Sequence, residues 1–139
     1  MLKILVTVFV AMVFGFAGVT YVALESGDVL EVETSSENQS SPRMTHIWFV
    51  HTNEGIFLEA GNPQNPWVQD LTQNKTIRLV GDGIDGEYSF RLSEDQSAHE
   101  KIRSLMREKY GWRDFWISAI FNVDESAMLE VFPKKEVHP

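Results

Sequence analysis

RMTHIWFVHTNEGIFLEA, residues 43–60, decides how the chain is built. Arg43–Val50 is dense in β-branched and aromatic side chains, which fit a pleated, half-buried surface. His51-Thr52-Asn53-Glu54-Gly55 has turn chemistry, with Gly55 suited to a positive φ. Ile56–Ala60 then resumes the apolar run. Two such strands on either side of a short turn make a hairpin.

The same grammar extends in both directions. Upstream, Asp28–Thr34 alternates, with Leu30, Val32 and Thr34 on one face and Glu31 and Glu33 on the other, the pattern of a strand with one wet face. Ser35–Pro42 is a polar loop. Downstream, the loop Gly61–Pro66 leads to a short helix over Trp67–Gln73 with Trp67, Val68 and Leu71 on its apolar side. Thr76–Val80 is a strand, Gly81, Gly83 and Gly86 mark a turn, and Glu87–Leu92 is the next strand. Ser93 and Gln96 have capping-box spacing, and Glu94 and Asp95 suit the positive end of a helix. Ala98, Ile102, Leu105, Met106 and Tyr110 then form one apolar stripe, stopped at Gly111. Trp112–Ile120 is a second short helix, and Ala127–Phe132 a last strand ended by Pro133. Short, hairpin-linked strands favour an antiparallel sheet, and closure removes its exposed edges. The expected fold is mainly β: a six-stranded antiparallel barrel with one long side helix.

In front of this domain stands an apolar segment. Ile4–Leu24 is 21 residues without a charge. As a helix it spans about 31 Å, close to the hydrocarbon thickness of a bilayer. The segment reads as a single transmembrane helix, with residues 1–26 as anchor and 27–139 as the barrel domain. A cleaved signal peptide is the competing reading, but those have shorter apolar runs and small residues before the cut, and Tyr21 stands where a small residue is preferred. Lys3 precedes the helix and Glu25, Asp28 and Glu31 follow it, which places the domain on the extracytoplasmic side.

Charge and composition narrow the chemistry. After Leu24 the chain carries 11 Lys and Arg against 20 Asp and Glu, a net charge of −9, which argues against nucleic acid as partner. There are no cysteines, so disulfides and thiolate metal sites are excluded. His46, His51, His99 and His138 show no metal-ligand spacing, and no metal is expected. No nucleophile elbow, Walker loop or dinucleotide fingerprint is present, and no catalytic residue can be named. Two features remain. Ser35–Ser41 leads into Pro42-Arg43 and Thr45, where hydroxyls and one guanidinium could hold a phosphate, although a solvated turn has the same composition. Tyr110, Trp112, Phe115 and Trp116 either plug the barrel end or form a stacking wall for a flat ligand.

The order of these motifs resembles the deazaflavin-dependent nitroreductase and quinone reductase family, which has the split β-barrel fold of flavin-binding oxidoreductases. The matching stretches are Thr34-Ser35, Pro42-Arg43-Met44-Thr45-His46-Ile47-Trp48, Ala60-Gly61-Asn62, Pro66-Trp67-Val68-Gln69-Asp70-Leu71, Met106-Arg107-Glu108-Lys109-Tyr110 and Val131-Phe132-Pro133. They run from about Val29 to Pro133. The resemblance implies a split barrel and a coenzyme site at Thr34, Ser35, Arg43, Thr45, Gly61, Asn62 and Trp67. It also implies a substrate pocket near Tyr110, Trp112 and Trp116. The implied coenzyme is the deazaflavin F-420 or FMN. One departure bears on that choice: Glu37 and Asn38 stand where the family has an Arg-Lys pair facing phosphates.

The resulting expectation is a membrane-tethered reductase that passes a hydride from a deazaflavin or flavin to a quinone-like or nitroaromatic acceptor. Membrane lipid and a quinone-like molecule are its expected partners, and a homodimer is allowed for. The alternative is a coenzyme-free split-barrel module that binds a ligand or partner in the cell envelope.

Overall fold

In the computed structural model, which describes residues 1–36, 40–93 and 95–134, six strands close into an antiparallel barrel. They are β1 (Val29–Thr34), β2 (Arg43–Thr52), β3 (Gly55–Ala60), β4 (Thr76–Gly81), β5 (Ile84–Ser93) and β6 (Ala127–Pro133). Their order around the barrel is β1-β2-β3-β6-β5-β4, and pairing of Glu31–Glu33 with Arg78–Val80 closes it. The split-barrel expectation therefore holds, with the helix α1 (Leu2–Glu25) in front of it.

Alternation sorts the side chains. Leu30, Val32, Ile47, Phe49, Leu58, Leu79, Leu129 and Val131 fill the barrel. The helix α2 (Pro66–Asp70) adds Trp67 and Val68 to that core. Along residues 47–50 and 57–60 both faces of the strands are buried. The reason is a second layer: Trp48, Val50, Phe57 and Met128 point outward and are covered by Ile102, Met106 and Tyr110 of α3 (Gln96–Tyr110) and by Ile117 of α4 (Trp112–Ile120). β5, which no helix covers, has no fully buried residue.

Three boundaries depart from the sequence expectation. Ser93 does not cap the long helix; it pairs with Met128 at the end of β5, and Asp95 is the cap, accepting the Ser97 N–H at 2.9 Å. Ladder pairing outcompetes a capping box when the partner strand continues. Gly86 belongs to β5 opposite Leu79, and the hairpin turn is Asp82-Gly83, both with positive φ, as a tight two-residue turn requires. The short helix begins one residue early, with Pro66 in its first turn, and its last turn loosens after Asp70. Glu37, Asn38, Glu94 and His138 lie outside the described residues.

α1 is the one described helix long and apolar enough to cross a membrane. Its end is docked on the domain. Ala23 is fully buried, Arg113 donates to the carbonyls of Ser26 and Gly27, and Trp116 Nε1 donates to Thr20 Oγ1 at 3.1 Å. Glu25 meets His46 Nδ1 at 2.5 Å.

Tyr110 joins α3 to the barrel. β1 begins at Val29, opposite Trp48, so the edge of β2 beyond that point has no partner on this side. The Tyr110 hydroxyl accepts the Phe49 N–H at 2.9 Å and donates to the Asp28 carbonyl at 2.6 Å, while Lys109 Nζ donates to the Phe49 carbonyl at 3.0 Å. Burial pushes the phenol well above its ordinary pKa, so it stays a neutral donor. Tyr110→Phe should lower the stability of the full chain in detergent by about 1–3 kcal/mol in denaturant unfolding, because buried backbone groups lose their partner.

His46 of β2 meets Glu25 at the end of α1. The Glu25 carboxylate, and less strongly Glu31, hold the His46 imidazolium above the ordinary 6.5. Its contribution is fully present below that value and is lost as pH rises through the raised one. Glu25→Gln should return the His46 NMR titration toward the ordinary midpoint; an unchanged midpoint would remove Glu25 as the cause.

Candidate functional site

A groove of about 600 Å³ lies along the first half of β2. Its walls come from four places. β2 supplies Arg43, Thr45 and Trp48, the turn after β3 supplies Gly61 and Asn62, and the start of α2 supplies Pro66 and Trp67. The ends of α1 and α4 contribute Leu24, Glu25 and Ile117. This size is within the range of small-molecule and cofactor pockets.

Of the seven residues assigned to a coenzyme, Arg43, Thr45, Gly61, Asn62 and Trp67 line this groove. Thr34 and Ser35 stand behind it. The Thr34 hydroxyl donates to Asp70 Oδ2 at 3.0 Å, and the same oxygen takes Arg43 Nε at 2.9 Å. Asn74 Nδ2 donates to the carbonyls of both Asp70 and Ser35. Asp70 is thus the buried hub that ties β1, β2 and α2 together and aims Arg43 along the groove wall.

Two further groove features were not visible in the sequence. Trp48 stacks on Tyr110, with ring centroids 4.2 Å apart and planes 8° apart, and its buried indole Nε1 has no hydrogen-bond partner among the described residues. Glu59 also borders the groove and is almost wholly buried. Arg103 Nη1 reaches both of its oxygens, at 2.8 and 2.7 Å, and Ser126 Oγ donates to one at 2.9 Å. The same guanidinium holds Asp114 through Nη2 at 2.6 Å. Burial pushes the Glu59 carboxyl above its ordinary value, with Arg103 opposing the shift. Ser126 links the cluster onward to His99 Nε2 at 3.1 Å. Arg103 had a sequence signal: it sits three residues before Met106 and seven before Tyr110, a charge on an apolar stripe, which demands a buried partner.

The aromatic trio is not gathered at the groove. Tyr110 is buried behind Trp48 with its hydroxyl committed to backbone. Trp116 packs on α1, with its ring 5.4 Å from that of Phe16. Trp112 and Phe115 point to the outside. Among the described residues no group of three His, Asp or Glu is placed to hold a metal.

Comparison with known proteins places the fold. Similar structures include HutZ, the heme storage protein of Vibrio cholerae (TM-score 0.59, 14% identity, covering 81% of this chain and 86% of that one). Others are an FAD-binding protein from Mesorhizobium loti (0.54, 11%, 86% and 89%) and a NimC/NimA family protein from Clostridium acetobutylicum (0.51, 13%, 81% and 84%). At these identities the likeness is one of fold. No curated protein matches by sequence. The profile of DUF2255, described as uncharacterized protein conserved in bacteria, matches residues 22–131, and the chain belongs to that family.

Proposed function

We propose that this chain is a membrane-tethered split-barrel oxidoreductase whose groove beside β2 and α2 holds a flavin with a single phosphate. The observation that carries the reading is the convergence of Arg43, Thr45, Gly61, Asn62 and Trp67 on one groove of about 600 Å³. A flat ring fits beside Trp48, whose own ring is held in place by stacking on Tyr110. The space beside Gly61 is open, so a ligand can reach the backbone there.

Electrostatics favours one phosphate over several. Arg43 is the one Lys or Arg among the groove residues, and Asp70 already partners it. Glu25 and Glu59 add negative charge to the same walls. A polyanionic deazaflavin such as F-420 would meet little attraction here, whereas the monophosphate of FMN needs only one guanidinium and the Thr45 hydroxyl. The resembling family supplies the reaction class: a flavin held here would supply hydride-transfer chemistry toward an acceptor. This chain's residues would orient the ring, hold its phosphate and keep water off one face. The groove borders Leu24 and Glu25 at the end of α1, which suits a quinone-like or nitroaromatic acceptor arriving from the membrane. The second reading, a coenzyme-free binding module, draws on the Arg43–Asp70 pair, because a guanidinium with a carboxylate partner needs no phosphate.

Titration of the purified full chain with FMN, FAD and F-420, followed by fluorescence, tests the proposal. FMN should bind saturably and most tightly. Arg43→Ala should weaken it by about 1.5–3 kcal/mol, the scale of a charge-assisted hydrogen bond, and Arg43→Lys should recover part of the loss. Thermal unfolding of the same samples separates lost binding from a loosened Asp70. If none of the three coenzymes binds at accessible concentration, the reductase reading gives way to the binding module.

A further inference from the structure

α4 is amphipathic in the inverse sense to a helix that faces water. Its two charged residues, Arg113 and Asp114, are buried, the first on the carbonyls that follow α1 and the second on Arg103. The opposite face is Trp112, Phe115, Trp116, Ala119 and Ile120, at i, i+3, i+4, i+7 and i+8. It bears no charge. Phe115 is 75% exposed and Trp112 57%. A contiguous apolar patch on a short helix marks an interaction surface rather than a solvated one.

The position of the patch identifies what covers it. Through Trp116, α4 packs on Phe16 and Thr20 of α1. The uncharged run of α1 ahead of Phe16, residues 4–15, is only about 18 Å long as a helix, well short of the roughly 30 Å of a hydrocarbon core. The run reaches bilayer thickness only when the turns up to Leu24 are included. If α1 spans a membrane, the reading on which this inference rests, the bilayer must take in the very turns against which α4 lies. The aromatic face of α4 is then at the lipid boundary.

We infer that α4 is a second membrane contact: a short interfacial helix that lays Trp112, Phe115 and Trp116 into the headgroup and upper acyl region beside the anchor. Tryptophan and phenylalanine are the residues that populate this region. Burying Arg113 and Asp114 inside the domain removes the charges that would oppose insertion. The contact would also hold the groove, which Ile117 of α4 borders from the other side, at a set height above the lipid.

The chain has no cysteine, so single nitroxide labels can be introduced cleanly. Phe115→Cys and Ala119→Cys report on α4, Phe9→Cys on α1 and Asn53→Cys on the β2–β3 turn. Each labelled full chain is reconstituted in phosphatidylcholine vesicles, and collisions with oxygen and with a water-soluble nickel chelate are measured by power saturation. Positions 115 and 119 should favour oxygen over nickel several-fold relative to position 53, at a shallower depth than position 9. Nickel access at 115 and 119 with oxygen preference at 9 overturns the interfacial helix and leaves the anchor standing. Nickel access at 9 overturns both. Shielding of 115 and 119 from both reagents, with spin–spin broadening, means a second copy covers the face and also overturns the inference.

Discussion

The Tyr110 hydroxyl reaches two backbone groups that no strand can serve, the N–H of Phe49 and the carbonyl of Asp28. β2 outruns β1 by several residues, and a bare ladder edge under a helical layer would be costly. Tyr110 resolves this from the last turn of α3, and its ring also stacks on Trp48. Three parts of the molecule meet at that side chain: the barrel wall, the long helix, and the turn that joins α1 to β1. The Arg113 guanidinium lies 4.9 Å from the same ring and grips the carbonyls of that turn. Where α1 leaves the domain follows from this knot.

A second constraint is ionic. Arg103 is buried between two carboxylates, Glu59 from the barrel and Asp114 from α4. Removing charges from water costs more than their attraction returns unless every lone pair is served. Here Ser126 donates to Glu59 and Ser118 accepts from Arg103. Such a cluster adds less stability than an apolar core of the same volume, but it admits one arrangement of α3 against α4. It thereby fixes which face of α4 turns outward. The uncharged face of α4 is the consequence of burying the charged one.

The groove inherits its character from both knots. Trp48 is held flat by Tyr110, and Glu59 is held by Arg103, so two groove walls are backed by buried partners rather than by mobile surface. Arg43 is fixed on a third side by Asp70. Preorganised walls reduce the ordering cost of binding.

Much of this was legible in the sequence. Period-two alternation along Asp28–Thr34 and the hairpin of residues 43–60 set the barrel, since one buried face leaves a strand a single register. The uncharged run Ile4–Leu24 set the helix that precedes it, and the apolar stripe Ile102, Met106, Tyr110 set the face of α3. The sequence also marked Arg43, Thr45, Gly61, Asn62 and Trp67, though only the closed barrel brings residues so far apart along the chain onto one groove. What it could not tell was partnership. Asp70 beneath Arg43, Glu59 and Asp114 on Arg103, and Trp116 on Phe16 are contacts between distant segments with no local pattern. The same limit separated Tyr110, Trp112 and Trp116, neighbours in sequence that helix geometry sends to the core, the outside and α1. Local periodicity determines which face of an element is apolar; what that face meets is decided only when the elements pack.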